Sequence, residues 1–253
     1  MTRRVSVLDA GNSHIKGHRI PLGGGLPDWS AAFVADAVAT PGQEDVLRLP
    51  TDQVLARPAV LWRLLAEEEP VLVSVIPAFT DLFVRRYPAG MVVGRVVDLP
   101  FPHDIRQPET VGPDRWANVA AAVGAGLQDA LIVDAGTATT VDLLRAGRFV
   151  GGLIAPGLAF AARCLAAHGA LLPETAFGPQ PADVGRDTTE ALQRGAWLAG
   201  TGGVEAMLSR LMEKYGPLPV ILTGGLGPHL MAPGRHLDSL WTARGAAWWA
   251  AQL

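Results

Sequence analysis

The segment DAGNSHIK, residues 9–16, combines residue types that suit a phosphate ligand. Asp9 follows a short apolar run, and a carboxylate at a strand end can hold hydrated Mg²⁺, which prefers one or two carboxylates plus water and phosphate oxygens. Gly11 lets backbone N–H groups approach a phosphate closely, and Lys16 adds a positive charge. An ordinary hairpin turn with a solvated lysine explains this loop about as well when it is considered alone.

A second loop of the same design occurs about half a chain later. Residues 134–142 read DAGTATTVD and also follow a short apolar run. Gly136 and Thr137 can cradle a phosphate in the same manner, and Asp134 can bind a cation. The repetition predicts two structurally similar halves. Two loops around one triphosphate suit phosphoryl transfer, which depends mostly on positioning and on neutralising charge.

Between the two loops, the segment ETVGPDRWAN, residues 109–118, offers an acid–base group beside a cation. Gly112 and Pro113 mark a turn, and a cap on the following helix is a sufficient explanation of Asp114 in isolation. The catalytic interpretation is that Asp114 accepts a proton from a substrate hydroxyl while Arg115 holds an anionic part of the substrate, such as a carboxylate. Both roles can coexist on one loop.

The third glycine-containing segment is Thr223-Gly224-Gly225, which follows an apolar strand at 219–222. Its backbone can lie flat against an adenine or a ribose, and a tight turn or glycine C-cap is an equally good interpretation. The P-loop pattern G-x-x-x-x-G-K-[ST] is absent, as is a G-x-G-x-x-G after a strand. The sequence therefore argues against a P-loop kinase and against a Rossmann dinucleotide site.

Composition excludes several classes of protein. A formal net charge of −3 over 253 residues argues against a general nucleic-acid binder. Cys164 is the single cysteine, so no intrachain disulfide can form, and its apolar surroundings predict an inert core thiol. No uncharged stretch approaches the ~18 residues of a membrane span, and Trp248 and Trp249 are expected to dock on protein. We predict a cytoplasmic protein without nucleic-acid or membrane partners.

Strands alternate with helices without a strict βαβ rhythm, which indicates a mixed-sheet α/β fold. Strands are predicted at 71–76, 91–97, 139–144, 149–154 and 219–222, and helices at 80–86, 114–123, 188–211 and 240–253. A boundary near 118–128 divides the chain into domains 1–120 and 121–253. The final helix is expected to pack back on the first domain.

Together these motifs resemble those of the type III pantothenate kinases, within the superfamily of acetate kinase, sugar kinases, heat-shock chaperones and actin. The resemblance covers nearly the whole chain, and four motifs occur in the right order. The matching residues are Asp9, Gly11, Asn12 and Lys16, with Ser13 in place of threonine; Gly112, Asp114 and Arg115; Asp134, Gly136, Thr137, Ala138, Thr140 and Asp142; Gly151 to Gly157; and Thr223 to Gly225.

The resemblance implies two duplicated actin-like (ribonuclease H-like) domains, with mixed sheets flanked by helices, and ATP-dependent phosphorylation of pantothenate to 4'-phosphopantothenate, the first step toward coenzyme A. It implies Asp114 as general base, Mg²⁺ at Asp9, and a monovalent cation at Asp134, usually K⁺ with NH₄⁺ as an alternative. It also implies a homodimer with the substrate site at the interface. The implied ATP-binding residues are Asp9, Ala10, Gly11, Asn12, Ser13, His14, Ile15, Lys16, Thr137, Thr223, Gly224 and Gly225, and the implied substrate-binding residues are Gly112, Pro113, Asp114, Arg115 and Thr188.

Two positions depart from the family pattern. Ile105 stands where the family often has a substrate-contacting tyrosine, so no hydroxyl is available there, and Asp187 replaces the usual asparagine. These departures keep two alternatives open: a sibling kinase for another hydroxy acid, and a nucleotide-binding regulator that has lost catalysis. The retained Asp114 argues against the regulator, because a protein that only binds nucleotide has no need of a general base.

Overall fold

A computed structural model describes residues 4–21, 47–65, 70–94, 99–169 and 171–253 of the chain. Its strands form two five-stranded sheets. The first sheet contains β1 (Arg4–Ala10), β2 (His14–Pro21), β3 (Leu47–Pro50), β4 (Val71–Ser74) and β5 (Met91–Val92), in the order β3-β2-β1-β4-β5. The second contains β6 (Ala130–Ala135), β7 (Ala138–Arg145), β8 (Arg148–Pro156), β9 (Val220–Thr223) and β10 (Arg235–Leu237), in the order β10-β9-β6-β7-β8.

Seven α-helices flank or connect the sheets in the described ranges. They are α1 (Thr51–Ala56), α2 (Ala59–Leu64), α3 (Pro77–Arg86), α4 (Pro113–Gly124), α5 (Phe160–His168), α6 (Thr188–Tyr215) and α7 (Trp241–Ala250). Short 3₁₀ helices cover Pro108–Thr110 and Gly227–Leu230. None of the helices in these ranges is both long and apolar enough to cross a membrane.

The two sheets share one plan. In the first, β1 runs antiparallel to β2 and parallel to β4, and in the second β6 runs antiparallel to β7 and parallel to β9. Each Asp-Ala-Gly segment therefore lies at the end of a central strand, in the turn of a hairpin. The predicted pair of similar α/β halves with mixed sheets flanked by helices is confirmed.

Helices α4 and α7 pack together, and one continuous apolar core joins them to both sheets. The fit is close because small residues lie at the contact. A Cβ atom on Gly245 of α7 would overlap the carbonyl oxygen of Ala117 of α4, and one on Gly124 would lie 2.6 Å from the Trp248 ring. Trp249 is fully buried. The C-terminal helix thus packs on α4 and on β1, β2 and β4.

Gly245→Ala is expected to destabilise the protein by about 1–3 kcal/mol, because the added methyl group meets backbone atoms, which cannot rotate away. Gly202→Ala is the matched control, since it adds the same methyl group to helix α6 where no atom lies within 4 Å. That control should be neutral or stabilising by about 0.5–1 kcal/mol. Urea unfolding of both variants measures the difference, and equal midpoints would contradict the close packing of α4 and α7.

Three predictions need correction or restriction. Cys164 is exposed on α5, because that apolar helix buries only Ala162, so the expected core thiol is wrong. Gly112, and not Asp114, is the N-cap residue of α4. The strand predicted at 91–97 ends at Val92, and residues 95–97 lie outside the described part. The division between residues 120 and 121 falls within α4 and stays a prediction.

Candidate active site

The first candidate phosphate loop (residues 9–16; the second is 134–142) is held by contacts within its hairpin and from helix α1. The hairpin register places Lys16 opposite Asp9, and the lysine Nζ lies 3.5 Å from the carboxylate Oδ2. Gly11 N–H donates to the carbonyl of His14 at 3.0 Å. The Thr51 hydroxyl donates to the Gly11 carbonyl at 2.7 Å. Lys16 therefore faces a carboxylate in the loop, and the simple picture of a solvated lysine does not apply.

The second loop is closed in a similar way, but it is one residue shorter. Gly136 N–H donates to the carbonyl of Ala138 at 3.0 Å, and Gly157 N–H donates to the carbonyl of Thr137 at 3.1 Å. The two loops also touch, because the hydroxyls of Ser13 and Thr137 lie 3.1 Å apart. The fold thus brings together two loops that are about half a chain apart in sequence.

The Thr223-Gly224-Gly225 segment lies directly against the second loop. Strand β9 is parallel to β6, with Thr223 beside Asp134 in register. Gly224 has φ +82°, and a Cβ atom there would lie 2.5 Å from Asp134 Oδ1, so only glycine fits without strain. Leu226 N–H donates to the Ala135 carbonyl at 3.0 Å. This segment therefore forms one wall of the space beside Asp134.

Asp114 enters this region from the N-terminus of α4. Its Oδ1 accepts a hydrogen bond from the backbone N–H of Arg115 at 2.9 Å. Burial raises the pKa of Asp114, the hydrogen bond from that N–H lowers it, and the charge of Asp9 raises it further. Burial likewise raises the pKa of Asp134 to about 7, with the charge of Asp114 adding to the effect. The three carboxylates are close enough to repel one another.

These charges make the region suitable for a cation. The charge of Lys16 lowers the pKa of Asp9 and of Asp134, although burial raises both. Asp114 is influenced instead by the charges of Asp9 and Arg115. Thr140 is opposite Asp134 in register, and its buried hydroxyl has no hydrogen-bond partner in the described part of the chain. Within those same ranges, no cluster of three or more His, Cys, Asp or Glu side chains could hold a metal. An ion here would need further oxygen ligands from phosphate or water, as Mg²⁺ usually does.

Arg115 is bound by a second carboxylate, that of Asp142. Its Nε donates to Asp142 Oδ1 at 2.9 Å and to Oδ2 at 3.2 Å, and its Nη2 also donates to Oδ1. Asp142 is fully buried, and burial raises its pKa to about 6 although the arginine lowers it. A side chain on Gly152 would overlap this ion pair. Asp142 is thus the partner of Arg115 in this structure, and Arg115 as a ligand of a substrate anion stays a prediction.

The remaining predicted substrate residue lies apart from these loops. Thr188 is the exposed first residue of α6, and no hydrogen bond or ion pair in the described ranges joins it to either phosphate loop. Asp187 is the N-cap of α6 and accepts from Glu190 N–H at 2.8 Å, so replacing asparagine here preserves the cap. Ile105 packs at the edge of the core beside Gly151, next to the strand segment that faces Asp142.

Several residues of the region were missed by sequence reasoning. Asn118 and Thr242 form a buried hydrogen-bonded chain behind Asp134, and Thr51 supports the first loop. Two aromatic rings, Trp197 and His229, pack edge to face with centroids 5.4 Å apart, and His229 follows the T-G-G segment by a few residues. Of these, only Asn118 lies in a segment with a recognisable motif. His229 lies four residues after the T-G-G segment, but its residue type gave no signal there, and Thr51 and Thr242 lie far from the motifs in sequence.

Two sheets of one plan, with their Asp-Ala-Gly loops in contact and the Asp114 carboxylate nearby, form the arrangement expected of an actin-like phosphotransferase. The chain belongs to the type III pantothenate kinase family, whose family model matches residues 7–210. A type III pantothenate kinase of Rhodospirillum rubrum is 32% identical over 209 residues, 79% of each chain. One of Paramagnetospirillum magneticum is 36% identical over 178 residues, 67% of this chain and 68% of that protein.

Solved structures agree with this fold. A Campylobacter jejuni protein named for the Baf family of transcriptional activators has a TM-score of 0.59 and 20% identity, covering 95% of this chain and 94% of that chain. A Sinorhizobium meliloti protein named for 2-dehydro-3-deoxygalactonokinase has a TM-score of 0.57 and 13% identity, covering 98% and 95%. At such low identity these likenesses show the fold alone.

Proposed function

We propose that this chain transfers the γ-phosphoryl group of ATP to the terminal hydroxyl of pantothenate, giving 4'-phosphopantothenate. The observation that carries the proposal is the meeting of three segments: the two phosphate loops, joined through Ser13 and Thr137, and the Asp114 carboxylate, whose pKa responds to Asp9. Family membership supports pantothenate as the acceptor. The same geometry suits in-line phosphoryl transfer, where positioning and charge neutralisation dominate.

Asp114 is the proposed general base. The acceptor oxygen forms a bond to the γ-phosphorus, the bond from that phosphorus to the β–γ bridging oxygen breaks, and the hydroxyl proton passes to Asp114. Burial raises the pKa of this carboxyl, which makes the carboxylate a stronger base than a solvated aspartate. The hydrogen bond from the Arg115 N–H to its Oδ1 holds this carboxylate at the first turn of α4.

The proposed nucleotide site consists of the first loop, Thr137 and the T-G-G segment. Lys16 neutralises phosphate charge. Gly11 and Gly136 carry no side chain that would block a phosphate from the neighbouring backbone, although their own N–H groups donate within the hairpins. Mg²⁺ at Asp9 and K⁺ or NH₄⁺ at Asp134 would supply positive charge for the triphosphate, each with further oxygen ligands from phosphate or water. Trp197 and His229 offer half-exposed aromatic surface close to the T-G-G segment for the base.

A homodimer with the acceptor site at its interface fits the surface of the chain. Large apolar side chains are exposed on neighbouring parts of the second half, including Ile154 at 66%, Phe160 at 44% and Leu198 at 55%. Such exposure is typical of a protein–protein contact. Thr188 is exposed on the same half, so a partner subunit would bring this residue to the acceptor site. Cytoplasmic location and the lack of nucleic-acid and membrane partners stay predictions.

A coupled ADP-release assay with and without pantothenate tests the function. We expect ADP release that depends on pantothenate and increases with K⁺, with a product heavier by one phosphoryl group in mass spectrometry. A panel of other hydroxy acids is the control for the acceptor, since Ile105 removes a hydroxyl that the family often has. ADP release with another acid but not with pantothenate would identify a sibling kinase, and ATP binding without turnover on any acceptor would identify a regulator.

A further inference from the structure

Asn118 lies at the centre of a buried hydrogen-bond chain that begins at Asp134. It is 1% exposed, on the second turn of α4 after Asp114. Its Nδ2 donates to Asp134 Oδ2 at 3.1 Å, and its Oδ1 accepts from the Thr242 hydroxyl at 2.7 Å. Its backbone carbonyl accepts from Trp241 Nε1 at 2.9 Å. Helix α7 therefore donates hydrogen bonds to both the side chain and the backbone of Asn118.

The donor and acceptor assignments follow from chemistry. When Asp134 is ionised, as a carboxylate that holds a cation must be, it can only accept, so the amide nitrogen of Asn118 faces it. The amide oxygen then faces Thr242, whose hydroxyl must donate. The hydrogen bonds therefore run in one donor-to-acceptor direction, from Thr242 of α7 to Asn118 and from Asn118 to Asp134. Each donor restricts the rotamer of the side chain that accepts from it.

This chain orients the two oxygens of Asp134 differently. Oδ2 is held by Asn118. Oδ1 lies close to both Gly136 of the second loop and Gly224 of the T-G-G segment. A Cβ atom added to Gly136 would lie 3.8 Å from this oxygen, and one added to Gly224 would lie 2.5 Å from it. The oxygen without the amide bond is thus the one directed to the proposed phosphate space.

We propose that Asn118 and Thr242 are positioning residues for the cation at Asp134, so that the C-terminal helix helps to build the active site. The proposal rests on the proposed function only in assigning a monovalent cation to Asp134. Residues that orient a ligand through a hydrogen bond typically alter metal affinity by about 10–100-fold when they are changed. Thr242 touches neither phosphate loop by hydrogen bond among the described residues, so its effect must pass through Asn118.

The test compares Thr242→Val, which keeps the shape and loses the donor, with Thr242→Ser, which keeps the hydroxyl. Melting temperature is measured against KCl at constant ionic strength, with ATP and Mg²⁺ present and pantothenate absent. For Thr242→Val we expect the K⁺ concentration giving half of the stabilisation to rise about 10-fold. Thr242→Ser should remain within about two-fold of wild type because the hydroxyl is retained.

If the K⁺ midpoint of Thr242→Val is unchanged, even with a lower melting temperature, the hydrogen bonds from Thr242 to Asp134 serve only the stability of the fold. That result would overturn the proposal. So would wild-type protein that K⁺ does not stabilise. Thr242→Ala gives the same information if the valine variant does not fold, since it lacks the donor and adds no bulk. In steady state, the activation constant for K⁺ should rise while KM for pantothenate stays constant. Because the melting assay omits pantothenate, it can succeed even where the acceptor assignment fails.

Discussion

Asp114→Asn is expected to lower turnover by about 10²–10⁴-fold, the usual contribution of a general base, while ATP affinity stays near wild type. Asparagine fills the same volume on the first turn of α4 but cannot take a proton. The nucleotide contacts proposed for Lys16 and Thr137 do not involve this side chain. Turnover is measured by ADP release, and ATP affinity by calorimetry. Near-wild-type turnover in this variant would remove Asp114 from the base role.

The matched control for that variant is Asp52→Asn. Asp52 is an exposed carboxylate in the first turn of α1, so its loss also removes a charge at a helix N-terminus. A general effect of charge at helix ends, about 0.3–1 kcal/mol, would therefore appear in both variants. Only Asp114→Asn should reduce turnover strongly.

The pH dependence of the wild-type enzyme gives a second check on Asp114. The base must be ionised to accept a proton, so activity should fall as pH decreases through its pKa, which burial raises above the ordinary value. In Asp114→Asn the part of this limb that belongs to Asp114 should disappear, while a limb from the cation ligand Asp134, whose pKa is about 7, should remain. A limb that persists unchanged would assign it to another group.

The sequence predicts well the parts of the site that depend on short stretches of chain. The Asp-Ala-Gly segments are recognisable because strand, turn and charged residue are adjacent, and hairpin register alone then places Lys16 opposite Asp9. Repetition of that local pattern also predicted the pair of similar sheets. These features follow from side-chain alternation and turn chemistry, which operate over a few residues.

Contacts between distant segments could not be predicted in the same way. The bond from Thr242 to Asn118 depends on how α7 crosses α4, and that crossing is set by small residues such as Gly245 meeting Ala117. The exposure of Cys164 could not be predicted either, because the sequence of an apolar segment does not show which of its faces is buried. Local patterns carry no information on packing angles, so residues that act through packing were missed.

Arg115→Met is expected to destabilise the protein by about 3–5 kcal/mol, because it leaves the Asp142 carboxylate buried without its partner. Loss of two donors to a fully buried carboxylate costs far more than loss of a surface pair. Arg148→Met is the matched control, since Arg148 pairs with Asp104 where both side chains are about half exposed. That control should cost less than about 1 kcal/mol. Chemical unfolding at neutral pH measures both variants.

The effect should also grow with pH, and the sign follows from the pKa of Asp142. In the wild-type fold that pKa is about 6, above the ordinary value of 3.8, so the folded state binds more protons than the unfolded state between these values. The contribution of Asp142 to stability therefore falls as pH rises through this window. Without Arg115 the folded pKa rises further and the window extends upward, so the melting temperature of Arg115→Met should fall more at pH 8 than at pH 5. A deficit independent of pH would contradict this account.

The double variant Arg115→Met/Asp142→Leu separates folding from catalysis. Replacing both members of a buried ion pair with apolar residues is often neutral or stabilising, so the double variant should recover most of the stability lost by Arg115→Met. Turnover should stay low, because the proposed ligand of the substrate anion is still missing. Recovery of stability together with wild-type turnover would show that Arg115 acts only through Asp142, as a support for the sheet beneath the site.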